Sequence, residues 1–330
     1  MSSDSAPGMA GFDLEFTNLD EYIRVITRRI WDERRFEDIH RYYSDPCIVE
    51  MPTSVTSSIQ TVVDGTIASL GVFPDRRPLY EDVIQSGDAE TGFLSSHRGI
   101  SAMTHLGHGV FGLASGRRVH ARAIADCVCK DNRIVHEWLI RDQAAIALHI
   151  GVQPRDLAQR WLNERGGWDK PVAGAAPSWY VSAVSKERLA QDYAASLADF
   201  AQQRGDASLV YAVAVHHIGP GGTTRYGQEE VGGYWSDLFS ALVPERFEVE
   251  HLALQRGGDR ADRIALRWRA HAIHRGNGMF GVATGKPVEI MGINHVELHD
   301  GKVVREWVLV DDVALWMQVL TPAVVQGAVK

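Results

Sequence analysis

The sequence predicts two tandem α+β units, each with helices leading into an antiparallel strand meander. Three observations carry this. A glycine-rich string occurs twice, as Gly107-His-Gly-Val-Phe-Gly-Leu-Ala-Ser-Gly116 and Gly276-Asn-Gly-Met-Phe-Gly-Val-Ala-Thr-Gly285. At a constant offset of 169 residues the identities continue without a gap through Val119 and Asp131 to Glu137, Trp138, Asp142 and Ala145, and His105 falls on His274. Between the copies, Gly166-Gly167 and Pro171 to Pro177 form a Gly/Ala/Pro-rich break. The period is too long for a solenoid, and each copy is long enough to be a small domain.

The first unit is expected over 18–161, between a loose tail at 1–17 and a linker at 162–185. Tyr22, Ile23, Ile26, Ile30 and Trp31 fall at helical spacing, and Phe36 to Tyr43 reads as a second short helix. Cys47 to Met51 is a short strand, and Ser57 to Leu70 a helix closed by Gly71. Leu79 to Ser86 and Glu90 to Leu106 are strands around the Gly87-Asp88 turn. After the glycine string, Val119 to Cys129 and Ile134 to Arg141 form a hairpin on Lys130-Asp-Asn-Arg133. Ala144 to Trp161 returns to helical spacing.

The second unit, 186–322, repeats the order before a tail at 323–330. Arg188 to Gln203 is a helix, Ser208 to Ile218 a strand, and Glu229 to Ala241 a helix ended by Pro244. Glu248 to Gln255 and Arg263 to His274 are strands, and Val288 to Leu298 and Val303 to Val310 close the unit as a hairpin.

A hydrophobic content of 45% and a charged content of 23% are ordinary for a globular protein. The net charge of -8 argues against a polyanion as partner, and no Lys/Arg run is interleaved with aromatics, so nucleic acid is not expected. No apolar run reaches spanning length, and Met1 to Gly11 lacks an apolar leader core, so no membrane partner is expected. Cys47, Cys127 and Cys129 are odd in number and suit core packing in a reducing cytoplasm.

Both units end in Glu-Trp-x-x-x-Asp, as Glu137-Trp138 with Asp142 and Glu306-Trp307 with Asp311, preceded in the second by Gly-Lys-Val-Val-Arg. Tyr43-x-Asp45, Pro52 and Phe73-Pro74-Asp75 accompany the first copy. The pattern resembles the nuclear-transport-factor-2-like superfamily, and within it the SnoaL-like polyketide cyclases. The first unit departs from it in having Asp131-Asn132 where the turn carries Asp-Gly. The resemblance implies two cone-like α+β barrels (the cystatin-like cone), each a curved sheet around a pocket closed by helices. It implies that the duplicated chain is its own pseudo-dimer, with further homodimerisation optional. That superfamily hosts cyclases, isomerases, dehydratases, epoxide hydrolases and non-catalytic binders.

In the cyclase family the matching Asp is the general acid/base of an aldol ring closure. The resemblance therefore makes Asp142 and Asp311 the catalytic candidates. Strand alternation puts Trp138 with Asp142, and Trp307 with Asp311, on one face. If that face is concave, each carboxyl sits in an apolar pocket that raises its pKa. Capping of the next helix is the plain alternative. His105 and His274 are the second pair of candidates, for polarising a carbonyl or moving a proton. His217, Asn294, Trp307, Trp138 and Glu50 are candidate substrate-binding residues. The second unit, with His217, His274, Asn294 and Asp311 on different strands, is the expected active one. His216, His217, His271, His274 and His295 lack tight ligand spacing, so no metal is expected, and no cofactor. The glycine string is followed by a strand, not a helix, which discards a dinucleotide loop. Two functions remain. One is an acid/base cyclase, isomerase or hydrolase acting on a small apolar carbonyl compound. The other is a non-catalytic small-molecule binder or scaffold.

Overall fold

The computed structural model describes residues 9–322. The first unit runs α1 (Leu19–Thr27), α2 (Asp38–Tyr42), β1 (Tyr43–Met51), β2 (Ser54–Thr56), α3 (Ile59–Val72), β3 (Arg77–Asp88), β4 (Gly92–Thr104), β5 (Arg118–Lys130), β6 (Arg133–Arg141), α4 (Gln143–Ile150) and α5 (Pro154–Arg165). The second runs α6 (Arg188–Ala201), α7 (Ala207–Val210), β7 (Tyr211–Ile218), β8 (Thr224–Tyr226), α8 (Gly227–Ala241), β9 (Leu242–Gln255), β10 (Asp262–His274), β11 (Pro287–His299), β12 (Lys302–Val310) and α9 (Asp312–Leu320). Each unit builds one six-stranded mixed sheet, ordered β2-β1-β6-β5-β4-β3 and β8-β7-β12-β11-β10-β9. These are the two tandem cone-like α+β units the sequence predicts, as open sheets rather than closed barrels.

The repeat is kept in atomic detail. The amides of Leu106 and Gly107 both donate to the Val72 carbonyl, and those of Arg275 and Gly276 to the Ala241 carbonyl. A Cβ on Gly107 would lie 1.8 Å from the Gly71 carbonyl oxygen, and one on Gly276 2.1 Å from that of Ser240. No residue but glycine fits such an approach. The same offset of 169 therefore aligns α3 with α8.

Several boundaries differ from the expectation; β1 starts at Tyr43 rather than Cys47, and β9 starts at Leu242 with Pro244 inside it. Residues 9–17 are not a loose tail: Phe12 and Phe16 are buried edge-on against Tyr22, and Asp13 pairs with Arg41. Residues 1–8 and the tail at 323–330 lie outside the described residues. Helix α5 runs into the expected linker as far as Arg165. The start of the expected strand at Ser208 is the helical turn α7, because the Asp206 side chain accepts from the Ser208 amide.

Alternation gives each sheet two buried faces. On the first sheet, Leu139 faces the helices in register with Ala125 and His97, and Arg141 with Ala123 and Gly99. The other face meets the second sheet. There Leu94, Ile124, Val128, Trp138 and Ile140 pack with Met291, Ile293 and Leu309. This junction is pseudo-twofold, as two paired cones require. The Arg98 guanidinium lies 3.5 Å from the Trp307 ring centroid, and Arg267 lies 3.5 Å from that of Trp138. The offset of 169 exchanges these two pairs. Asp126 accepts from Arg267 at 2.6 Å, while its mate His295 contacts Arg98 at 3.2 Å and Ser96 at 2.8 Å.

Candidate functional site

The two cones carry the same acid on the same strand: Glu137 on β6 and Glu306 on β12, each facing its own helices. Their surroundings differ. In the second cone, Glu306 has no solvent exposure. It accepts from Tyr193 at 2.5 Å and Tyr211 at 3.0 Å, and meets His217 Nδ1 at 2.9 Å. Asn294 donates to Tyr193 at 2.8 Å and accepts from Trp268 at 2.9 Å. Above this network Trp235, Phe239 and Trp268 stack together, fully buried. Trp268 presses on Gly292, where a Cβ would lie 2.2 Å from the indole. This cone is a packed core.

The first cone lacks the plug. At the offset of 169, Thr66 stands for Trp235, Leu70 for Phe239 and Gly99 for Trp268. Arg141 stands for Val310, His97 for Leu266 and Leu139 for Val308. The interior row His97, Gly99, Ala123 and Leu139 is only half-buried, and Arg141 is exposed, whereas Leu266, Trp268, Val308 and Val310 are buried. The first interior is therefore less closely packed than the second, and Arg141 is the exposed end of its row. The protein still surrounds Arg141 closely enough that desolvation pulls its pKa below the usual guanidinium value.

Glu137 keeps one partner of the network, the Tyr43 hydroxyl at 3.3 Å. In register, Val49 pairs with Glu137 as His217 pairs with Glu306. Ala125 takes the place of Asn294. A carboxylate buried with one long hydrogen bond is poorly stabilised. Burial raises its pKa, against the opposing pull of Arg141 and the Tyr43 bond. His97 lies 3.3 Å from the Ser95 hydroxyl, and burial pushes its pKa down to about 4, so it is neutral near pH 7. Tyr80 faces Gly99 on the neighbouring strand, and its hydroxyl is buried without a partner among the described residues. Arg76 reaches Ser69 at 3.0 Å and lies over Trp31. Its pKa falls to about 10, through burial first and the charge of Arg141 second.

The residues singled out in the sequence fall elsewhere, with one exception. Trp138 and Trp307 do not line a pocket: each lies under an arginine in the junction between the sheets. Asp142 and Asp311 likewise do not point into the cones. Asp142 caps α4 by accepting from Ala145 at 2.9 Å, and binds the second unit through Gly221 at 2.8 Å and Gly222 at 3.1 Å. Asp311 caps α9, accepting from Val313 at 3.0 Å and Ala314 at 3.2 Å. His105 and His274 pin the glycine loops, through Ser115 at 3.1 Å and Thr284 at 3.0 Å. Glu50 faces the junction and meets His136 at 2.8 Å. It borders a crevice of about 30 Å³ lined also by Trp168, Arg269 and Glu289. The exception is His217 with Asn294, which do face the second interior, as partners of Glu306. The expectation that the second cone holds the open polar pocket is thus overturned by its three aromatics. The candidate metal histidines scatter: His216 stacks on Tyr226, His271 meets Glu289, and His295 sits in the junction. No group of three His, Cys, Asp or Glu converges among the described residues.

Reading each copy separately misses Arg141, His97, Tyr80 and Arg76. Subtracting one copy from the other finds the first two. Positions that are Leu266, Trp268 and Val310 in one copy and His97, Gly99 and Arg141 in the other mark where a core became a recess.

Residues 189–319 match the family model of SnoaL-like polyketide cyclases. No curated protein matches the chain by sequence. Solved structures similar to it include IdmH of Streptomyces antibioticus, a candidate polyketide cyclase. It is 18% identical, covering 40% of this chain and 97% of its own, with a TM-score of 0.35. AclR of Streptomyces galilaeus, a candidate hydroxylase, is 16% identical over 40% of this chain and 83% of its own, with a TM-score of 0.35. A candidate SnoaL-like polyketide cyclase of Jannaschia sp. CCS1 is 15% identical over 42% and 99%, with a TM-score of 0.34.

Proposed function

Starting from the SnoaL-like character of residues 189–319 and its repetition in the first unit, we propose that the chain is a cyclase- or isomerase-type acid/base enzyme. Its working site is the first cone, and the second cone is a structural partner. The observation that supports this is the loss of the aromatic plug: Thr66, Leu70 and Gly99 stand where Trp235, Phe239 and Trp268 fill the other unit. A concave, partly apolar space with a few converging polar groups is the ordinary form of a small-molecule site.

In this reading Glu137 is the acid/base. Its raised pKa brings a carboxylate towards the range in which taking and returning a proton are both accessible. The substrate is a small carbonyl compound. Glu137 removes a proton from the carbon beside the carbonyl, and the electron pair moves into the carbonyl to give an enolate. In an isomerisation the proton returns at another carbon; in a cyclisation the enolate carbon attacks a second carbonyl, whose π electrons move to its oxygen, and Glu137 returns the proton to that alkoxide. Neutral His97 is positioned to donate a hydrogen bond to the developing oxyanion. Tyr43 holds the Glu137 carboxyl in place.

Exchange of α-protons for deuterium, followed by NMR with the full chain and a panel of β-keto esters and aryl ketones in D2O, tests the assignment. Glu137→Gln and the blocking variant Ala123→Phe should each lose the catalysed exchange, while folded Asp311→Asn keeps it. Exchange that survives Glu137→Gln but disappears in Asp142→Asn or Asp311→Asn would return the chemistry to the helix caps. Ligand binding with no exchange in the wild type would make the first cone a binder.

A further inference from the structure

We infer that the first cone recognises a carboxylate on its ligand, held by Arg141 with Arg76 and Tyr80 at the open end of the recess. The inference rests on the reading of this cone as the small-molecule site and names the class of molecule it takes. Arg141 lies two residues beyond Leu139 on the interior face, beside Ala123 and Gly99. Those neighbours are small and carry no side chain long enough to pair with its guanidinium. Among the described residues it makes no hydrogen bond or ion pair, unlike two other charges of this interior. Glu137 has Tyr43, and Arg76 has Ser69. Tyr80, in the same row, has a buried hydroxyl with no partner.

An enclosed guanidinium facing water, a second one close enough to be depressed by its charge, and an orphaned hydroxyl donor share one need. They lack a hydrogen-bonded acceptor that spans two donors: Asp32 acts on Arg76 and Tyr80 through its charge but bonds to neither among the described residues. Glu137 does not fill that role, since its hydrogen bond goes to Tyr43 and none reaches Arg141. A carboxylate fits, because its two oxygens match the forked donors of a guanidinium. Leu139 and Ala123 then offer an apolar wall to the rest of the molecule. This arrangement places the carbonyl-bearing part of the ligand deeper, towards His97 and Glu137. The substrate class is therefore an oxo-acid with an apolar body, anchored by its acid group at the mouth.

Isothermal titration of the full chain with benzoate and 4-phenylbutyrate, against benzamide, 4-phenylbutyramide and inorganic phosphate, decides the matter. Each carboxylate should bind at least about 10-fold more tightly than its amide, as a charge-assisted pair implies. Arg141→Gln should abolish that preference and leave the amide affinity unchanged, and Arg141→Lys should restore part of it. Equal binding of acid and amide, or a preference that persists in Arg141→Gln, overturns the inference. Phosphate competing as strongly as the carboxylates overturns it in favour of a phosphate site. Ala123→Phe separates the two levels: it should remove acid and amide binding together. If amides bind, Ala123→Phe blocks them and Arg141→Gln changes nothing, the cone remains the site and only the carboxylate falls. If Ala123→Phe blocks nothing, the cone itself is the wrong place. A thermal melt of each variant confirms that it is folded.

Discussion

The two cones share a backbone, a glycine loop and a floor carboxylate, yet one is a core and the other a recess. The second surrounds Glu306 with a histidine and two tyrosines, one of them held by an asparagine, then seals it under Trp235, Phe239 and Trp268. The first leaves Glu137 with Tyr43 alone and opens the space above it. The difference shows how duplication separates two demands that conflict within one domain. A pocket forfeits packing and keeps polar groups poorly satisfied, both of which cost stability. Here the unit with the packed core is joined to the less closely packed unit through a junction of paired Arg-on-Trp contacts.

Substitution of the plug gives the largest effect. Trp268→Ala removes a fully buried indole from the second cone and should cost about 3–5 kcal/mol in urea unfolding. Its mate Gly99 shows that the fold tolerates a small residue at this position only where the interior is less closely packed. A loss below about 1 kcal/mol would mean that the second cone is not close-packed, and the contrast between the units would collapse.

The two glutamates should respond unequally to the same change. Glu306→Gln weakens the bonds from Tyr193 and Tyr211 and the contact with His217, at a cost of about 2–3 kcal/mol. Glu137→Gln removes a strained charge with one long hydrogen bond, so stability should stay within about 1 kcal/mol of wild type or rise. Denaturation midpoints of the two variants, measured side by side, check this. Equal losses would indicate that Glu137 is as structural as its mate.

Much of the fold was legible because it rests on local rules. The offset of 169, the turn at Lys130-Asp-Asn-Arg133 and the capping potential of Asp142 and Asp311 all appear in the residues, and the structure confirms the elements they define. The site was harder to read. Alternation correctly placed Trp307 with Asp311 on one face, but it does not say which face is concave. In a single cone the outer face is polar and settles the matter. Here both faces are buried, one under helices and one under the other sheet, so the pattern carries no sign. Phe12 and Phe16 were missed for a related reason: a polar neighbourhood hides two aromatics that reach the core.

The smallest expected effect sharpens the comparison at the other pair of mates, Asp142 and Asp311. Asp142 accepts from two glycine amides of the opposite unit as well as from its own helix, whereas Asp311 accepts only from its own helix. Burial, reinforced by the charge of Asp142, pushes Asp311 up to about 7 and its neighbour Asp312 up to about 8. Both folded values lie above the unfolded one, so the stability they contribute is complete below about pH 4 and is lost as pH rises through about 7 to 8. Wild-type stability should therefore fall by roughly 1–2 kcal/mol for each of the two groups between pH 6 and pH 8. Asp312 makes no cap bond, and one of its carboxyl oxygens is buried without a partner, so Asp312→Asn removes the charge while leaving the α9 cap intact. Urea midpoints for that variant should fall less steeply across this window, because only Asp311 still titrates in it, and should lie higher than wild type at pH 8. Asp142→Asn should behave differently, because it also weakens the bonds to Gly221 and Gly222 that join the units. It should lower the midpoint at both pH values. If Asp312→Asn keeps the wild-type slope, the fall arises from another group and the crowding of carboxyls at the junction is not its source.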